Sequence, residues 1–361
     1  MSTEALHQSV SDDAQPERAR REWDFRLSTV VSPPSSTASD ASDVIGAVEI
    51  DQSDRLLATA GIARKIRIYT LAGLLPSDAD LRHSSACDFY ICAPAKLSSL
   101  RFRPGSGSRV IAAGDYDGVV TEYDLDRRTS ISERDEHGGR RVWSVDYSPA
   151  GDMAASGSDN GAARIWDTRC PAEGTVVHNG ISPVCCVEFD GADCGPLIAL
   201  GCADRNAYVY DLRAVGAGPV SAFGGHARTV TYVRFVGGGR MLSSGTDGAH
   251  RMWEARGERE IRAYRGHKSG RSFVGMGLWR KGGLIGCGSE TNEVFVYDLR
   301  WGEPIWVKSF GRAGAGFASA VCWCGGRDGS GGGDDCMLIA GGSDGVLQIF
   351  SGRRNSCRNI N

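Results

Sequence analysis

The chain has 361 residues, with 41 Lys+Arg against 44 Asp+Glu and a formal net charge of −3. That balance excludes a general nucleic-acid binder, which needs a cationic excess to displace phosphate counterions. A 41% apolar content argues against wholesale disorder, and no apolar run reaches the roughly 18 residues of a membrane helix. The 12 cysteines include no C-x-x-C pair and no zinc-finger spacing with His. They read as small buried hydrophobes of a reducing compartment, so neither a disulfide framework, a metal centre nor a cofactor is expected. The 49 glycines are about twice the usual ~7% share and must mark many turns.

In chain order, residues 1–21 are polar and hold acidic residues, so no secretory leader is read there. An intracellular protein, nuclear and cytoplasmic, is expected. RARR (18–21) reads either as a minimal nuclear signal or as part of a solvated arm. WDFRLSTVV (23–31) has the makings of a strand, and the Ser/Pro-rich SPPSSTASDAS (32–42) of a mobile linker. From there one unit recurs: a strand ending in small residues, a tight turn, and a strand closed by an aromatic. ASGSDNGAARIW (155–166), LSSGTDGAHRMW (242–253) and IAGGSDGVLQIF (339–350) are three of its seven instances.

The closing aromatics are Tyr69, Tyr123, Trp166, Tyr210, Trp253, Tyr297 and Phe350, at spacings of 54, 43, 44, 43, 44 and 53. A period of about 40–45 is that of WD repeats, each a four-stranded blade. A period-two apolar segment precedes every hairpin, from VIGAVEI (44–50) to SFVGMGL (272–278) and SAVCWCG (319–325), and reads as the inner strand. The fold expected is all-β, a seven-bladed WD40 propeller over 22–352, with the N-terminal strand closing the last blade. The two long spacings are assigned to inserts at 71–91 and 325–335, and a disordered arm (1–21) and flexible tail (353–361) flank the ring.

Only one repeat carries the full set His226, Ser243, Asp247 and Trp253. These read as a structural tetrad that staples the blade, since buried polar groups must be paired; His137 with Asn160 reads the same way. No P-loop, H-E-x-x-H or G-x-S-x-G is present, so no catalytic residue is assigned and a non-enzyme is expected. Residues that begin inner strands or sit in hairpin turns face the narrow end of a propeller. Lys96, Tyr116, Arg141, Trp143, Arg228 and Phe273 occupy such positions. Aromatics beside cations make a peptide-binding rim, for an extended peptide with a small apolar anchor and acidic flanks. The competing reading packs Trp143 and Phe273 in blade cores.

Several stretches go beyond a generic repeat: DYDG (115–118), RRVWSVDYS (140–148), FVG (273–275) and CGSETNEVFVYDLR (287–300). In these the chain resembles the propellers of the plant constitutively-photomorphogenic ubiquitin ligases and their suppressor-of-phytochrome partners. That family's propeller binds Val-Pro peptides with acidic flanks through a Lys, a Tyr, an Arg-x-Trp pair and a Phe. The resemblance implies this role for Lys96, Tyr116, Arg141, Trp143 and Phe273. With no room for a RING, coiled coil or kinase-like region before the first strand, the chain is most similar in layout to the free-standing RUP propellers, repressors of UV-B photomorphogenesis.

The implied partners are the C-terminal tail of the UV-B photoreceptor, whose return to the inactive dimer is promoted, and Val-Pro-motif transcription factors. The photomorphogenic E3 ligase is a further implied partner, with no nucleic acid or membrane and a monomer on its own. A second motif, [WY]-[DE]-x-R, resembles docking sites for the adaptor of cullin-RING ligases. It places Trp166, Asp167, Arg169, Asp298 and Arg300 on the wide face, where a blade-end salt bridge is the plainer reading. A substrate receptor of such a ligase is therefore the alternative function.

Overall fold

In the computed structural model, residues 22–33, 43–75, 81–170, 172–191, 195–310, 316–325 and 335–355 are described. The arm 1–21 with its RARR run, most of the linker 32–42, the middle of the Gly-rich insert 325–335 and the tail from 356 lie outside them. Each predicted hairpin is formed by antiparallel pairing, as Met153–Ser158 with Ala162–Asp167 shows. The residue five places before each closing aromatic has left-handed backbone. Four of these are glycines (Gly161 at φ 81° is one), and the others are Arg64, Arg205 and Asn292. The turn geometry is thus kept where glycine is not, at a cost of about 1 kcal/mol or more per position.

The described strands form seven sheets, six of four strands and one of five. They are arranged as a seven-bladed propeller with inner strands Ile45–Ile50, Leu97–Phe102, Val142–Tyr147, Val184–Phe189, Val230–Gly237, Met276–Trp279 and Ala318–Gly325. Blades 1 to 7 are numbered in that order. The core lies between blades. One cluster, for example, joins Leu197, Val209 and Phe223 of blade 4 to Val230, Val233 and Phe235 of blade 5.

Close approach explains the small residues that end the second strands. A Cβ on Gly157 would lie 2.7 Å from Val184 of the next blade, and one on Gly341 would lie 2.5 Å from Ile45 across the seam between blades 7 and 1.

That seam is closed by Trp23–Ser32, which pairs antiparallel with Leu347–Arg354, from Trp23 opposite Arg354 to Val31 opposite Leu347. The third strand of blade 7 thus extends to Arg354, into the tail expected from 353. The segment 71–91 differs from a plain insert. Phe89–Cys92 is the outer strand of blade 1, and Leu81–Arg82 pairs in parallel with Val31–Ser32 as a fifth strand of blade 7. Between them, His83 bonds the Tyr69 hydroxyl and the Gly345 carbonyl, each at 2.7 Å. A segment with little alternation is therefore sewn into the seam by hydrogen bonds.

The inner strands line an axial channel. Toward the C-terminal ends of these strands, one register position carries Glu49, Arg101, Asp146, Glu188 and Arg234 around the ring. Arg101 bridges Glu49 (3.0 Å) and Asp146 (2.5 Å), and Glu188 meets Arg234 (3.5 Å) and Arg280 (2.6 Å). Burial raises the carboxyls of Glu49 and Glu188, and the facing arginines only partly offset it.

Candidate functional site

A β-bulge recurs near the start of six inner strands, for example between Val142 and Ser144 and between Val184 and Cys186. The bulged residue leaves the ladder and is re-aimed at the channel mouth. In blades 1, 2, 4, 5 and 7 it is Gly46, Ser98, Cys185, Thr231 or Ser319; in blade 3 it is Trp143. Only in this blade does the bulge carry a large ring, half-buried and outside all the between-blade core clusters. Its indole N–H donates to Asp159 at 2.5 Å, which fixes the ring's edge.

Blade 6 supplies the opposing wall by a different route. The expected strand 272–278 begins only at Met276, because Gly275 has φ 65° and lies where a Cβ would be 2.8 Å from the Ala320 backbone. Phe273 therefore sits on a loop and reaches Trp143, with ring centroids 4.6 Å apart. The reading that placed these two rings in blade cores is thereby corrected.

Arg141 lies between two rings, its guanidinium carbon 3.7 Å from the centre of Tyr116 and 3.5 Å from that of Trp143. Such stacking is favourable for a planar cation. Burial lowers the Arg141 pKa from its usual value, and its Nε has no hydrogen-bond partner among the described residues. Lys96 is exposed beyond Tyr116, with its ammonium 6.0 Å from that ring. Arg228 is exposed on the same rim, where it donates to the Gly270 carbonyl at 3.0 Å.

Of the six residues read from sequence, Arg141, Trp143 and Phe273 line a cavity of about 390 Å³, while Tyr116 and Lys96 extend outward from Arg141 and Arg228 touches the loop before Phe273. Tyr232 was missed. It packs edge-on to Phe273 at 6.4 Å and lines the same cavity, and burial pushes its hydroxyl up to about 12. A signal was available: Tyr232 stands in a channel-facing column otherwise made of Ala47, Ser99, Ser144, Cys186, Gly275 and Ala320.

Third strands run parallel to inner strands, so their ends lie on the opposite face. There Arg169 forms a double contact with Asp167 (2.9 and 2.6 Å), as Arg213 does with Asp211. Their side chains are nonetheless 71% and 68% exposed. Arg300 is different. It bonds both Asp298 and Glu22 at 2.7 Å, which spends it on the ring seam. Trp166 is buried beneath Arg134.

In blade 5 the indole N–H of Trp253 donates to the Ser243 hydroxyl at 2.7 Å, which is 2.7 Å from His226 Nε2. His226 Nδ1 meets Asp247 at 3.0 Å. The four residues form one buried relay with no opening to the channel mouth. In blade 2, by contrast, the amide acceptor of the turn is Asp115, which takes the Asp117 and Val119 N–H groups. Asp117, the acid at the turn itself, supplies an amide to Asp115.

One group of possible metal ligands occurs among the described residues: His250, His267 and Cys287, all buried, with ligand atoms within 4.8 Å of one another. The two imidazoles stack at 4.2 Å with planes 15° apart. Their in-plane nitrogen lone pairs therefore run side by side and do not converge on a common ion.

The WD domain, G-beta repeat family matches residues 128–167 and 217–254. The chain is 54% identical over 335 residues to the WD repeat-containing protein RUP2 of Arabidopsis thaliana, covering 87% of this chain and 89% of that one. To the WD repeat-containing protein RUP1 of the same plant it is 50% identical, with 93% and 86% covered. The E3 ubiquitin-protein ligase COP1 of Arabidopsis thaliana is 32% identical over 86% of this chain, but the match spans only 45% of the ligase.

Proposed function

The chain belongs to the RUP family of WD-repeat proteins, and from that premise we propose that it is a non-catalytic repressor of UV-B light signalling. It binds the acidic Val-Pro tail of the UV-B photoreceptor on the narrow face and favours the receptor's return to its inactive dimer. The observation that carries this reading is the Arg141 guanidinium. It is half-buried between Tyr116 and Trp143, its Nε has no hydrogen-bond partner among the described residues, and Asp159, a carboxylate that acts on it, accepts from the Trp143 indole.

Acids elsewhere in the ring answer their arginines, as along the channel belt. At this mouth Arg141, Lys96 and Arg228 instead leave their charge for a ligand. Trp143, Phe273 and Tyr232 wall an apolar slot beside them. A Val-Pro step fits such a slot at low entropic cost, because proline is already restricted, and acidic flanks meet the cations.

The test is a calorimetric titration of the protein with a short acidic Val-Pro peptide and with its Ala-Ala counterpart. Micromolar binding of the first alone supports the reading, and equal behaviour of both refutes it. Trp143→Ala removes a half-buried aromatic anchor and weakens binding at least ~30-fold without unfolding the ring.

A second reading, a receptor subunit of a cullin-RING ligase that recruits light-signalling transcription factors, uses the wide face. It is favoured by the exposure of Arg169 and Arg213. Retention of adaptor by an Arg169→Ala/Arg213→Ala double variant counts against it.

A further inference from the structure

We infer that Glu290 is the positioning residue of the peptide face: its carboxylate gathers the backbone amides of the loop before Phe273 and thereby sets that ring against Trp143. The consequence for binding rests on the peptide reading above; the geometry does not.

Glu290 follows the second strand of blade 6, Leu284–Ser289, within the CGSETNEV stretch that sets this chain apart from generic repeats. Its Oε1 accepts the Arg271 N–H at 2.7 Å and the Ser272 N–H at 2.6 Å. The Gly270 amide also acts on this carboxylate. Burial alone would raise its pKa, yet the amides bring it below the usual value. Successive amides turned toward one anion form a nest, here closed by the protein's own side chain. On the other side of the loop, Arg228 donates to the Gly270 carbonyl and the Ser269 hydroxyl to the Ser272 carbonyl at 3.1 Å.

The need for this arrangement follows from the missing ladder. In blade 3 Trp143 is held by flanking strand pairs, Val142 with Ser158 and Ser144 with Gly157. In blade 6 ladder pairing begins only at Met276 with Cys287, and before it a single backbone bond, from the Gly288 N–H to the Val274 carbonyl at 2.8 Å, ties the loop beside Phe273 to the second strand. Gly275 pins the far end of the loop against Ala320, and Glu290 pins the near end. Phe273 is suspended between the two. The charge of Glu290 is absorbed by the amides, which leaves Arg228 on the rim without a competing acid in hydrogen-bond contact.

The test uses the full chain and two readouts. The first is hydrogen exchange at the Arg271 and Ser272 amides in the absence of peptide. The second is calorimetric affinity for the acidic Val-Pro peptide, in Glu290→Ala, Glu290→Gln, Phe273→Ala and the Glu290→Ala/Phe273→Ala double variant. Glu290→Ala is expected to speed exchange at both amides ~10-fold or more and to raise the peptide Kd ~10-fold. Glu290→Gln, which keeps a carbonyl oxygen as acceptor, is expected to restore most of both. The double variant is expected to bind no more weakly than Phe273→Ala alone, because Glu290 acts through that ring.

Unchanged exchange at Arg271 and Ser272 overturns the inference whatever the peptide does. Faster exchange with an unchanged Kd, or strictly additive losses, overturns the link to Phe273. Should Glu290→Ala fail to fold, Glu290→Asp, whose carboxylate stops one methylene short, gives the same readouts. Absence of binding by the unsubstituted protein refutes the peptide reading, and with it the binding half of the inference; the exchange data still decide the loop half.

Discussion

Replacing Ser243 by alanine removes one oxygen from a fully buried site, yet it is expected to be among the costlier single-atom changes in the ring. The Ser243 hydroxyl accepts from the Trp253 indole and lies 2.7 Å from His226 Nε2, to which it can donate. Its loss strands a buried N–H and a buried ring nitrogen at once. Each costs about 1–3 kcal/mol, so about 2–6 kcal/mol is expected in total. Equilibrium urea denaturation followed by far-ultraviolet circular dichroism reads this as a lower midpoint at unchanged slope. The exposed Ser130→Ala serves as control and should stay within about 0.5 kcal/mol. In a Trp253→Phe background the indole donor no longer exists, so Ser243→Ala should cost about 1–3 kcal/mol less than it does alone. A loss below about 0.5 kcal/mol, or full additivity in the cycle, would refute the relay.

Two further outcomes are expected. Trp23→Ala empties a seat against Phe25 and Trp279 in the closing strand and should cost about 3–5 kcal/mol, whereas Leu27→Ala on the same strand, 45% exposed, should change the same denaturation midpoint little. Burial alone would raise the Asp247 carboxyl, but His226, the Ala227 amide and Arg251 bring it from 3.8 to about 2. Its folded value is thus depressed, so its stabilisation is complete above the unfolded pKa and is lost as the pH falls through about 2. Acid titration of unfolding should show the advantage over Asp247→Asn shrinking across that window, and a constant gap would contradict the assignment.

The repeat, the blade count and the closing strand were all legible in the sequence. They rest on local signals: a left-handed turn five residues before an aromatic, and alternation two residues at a time. What escaped depended on contacts between distant segments. Nothing local marks Leu81–Arg82 as a partner of Val31–Ser32, or Glu22 as the residue that claims Arg300. SFVGMGL alternates well enough to read as a strand, and only the approach of Ala320 to Gly275 shows why it breaks. Asp115 and Asp117 are equally plausible turn acceptors until the direction of the amides is known. Tyr232 was visible only after the channel-facing column of all seven inner strands had been aligned.

The closing strand also carries a cost in time. Ser28 and Ser351, whose hydroxyls are bonded across the seam, lie 323 positions apart. At about 5–20 residues per second, a ribosome needs about 16–65 s to make the second after the first. For most of that interval Trp23 and Phe25 have been synthesised but Trp279, Trp306 and Trp323, against which they pack, have not, and the strand that bears them is an unpaired edge free to add to the wrong sheet. The nascent chain is thus most vulnerable at its oldest segment, and blade 7 is the last part of the ring that can form. Moving that strand to follow Arg354 would abolish the wait while leaving the contacts of the finished seam as they are.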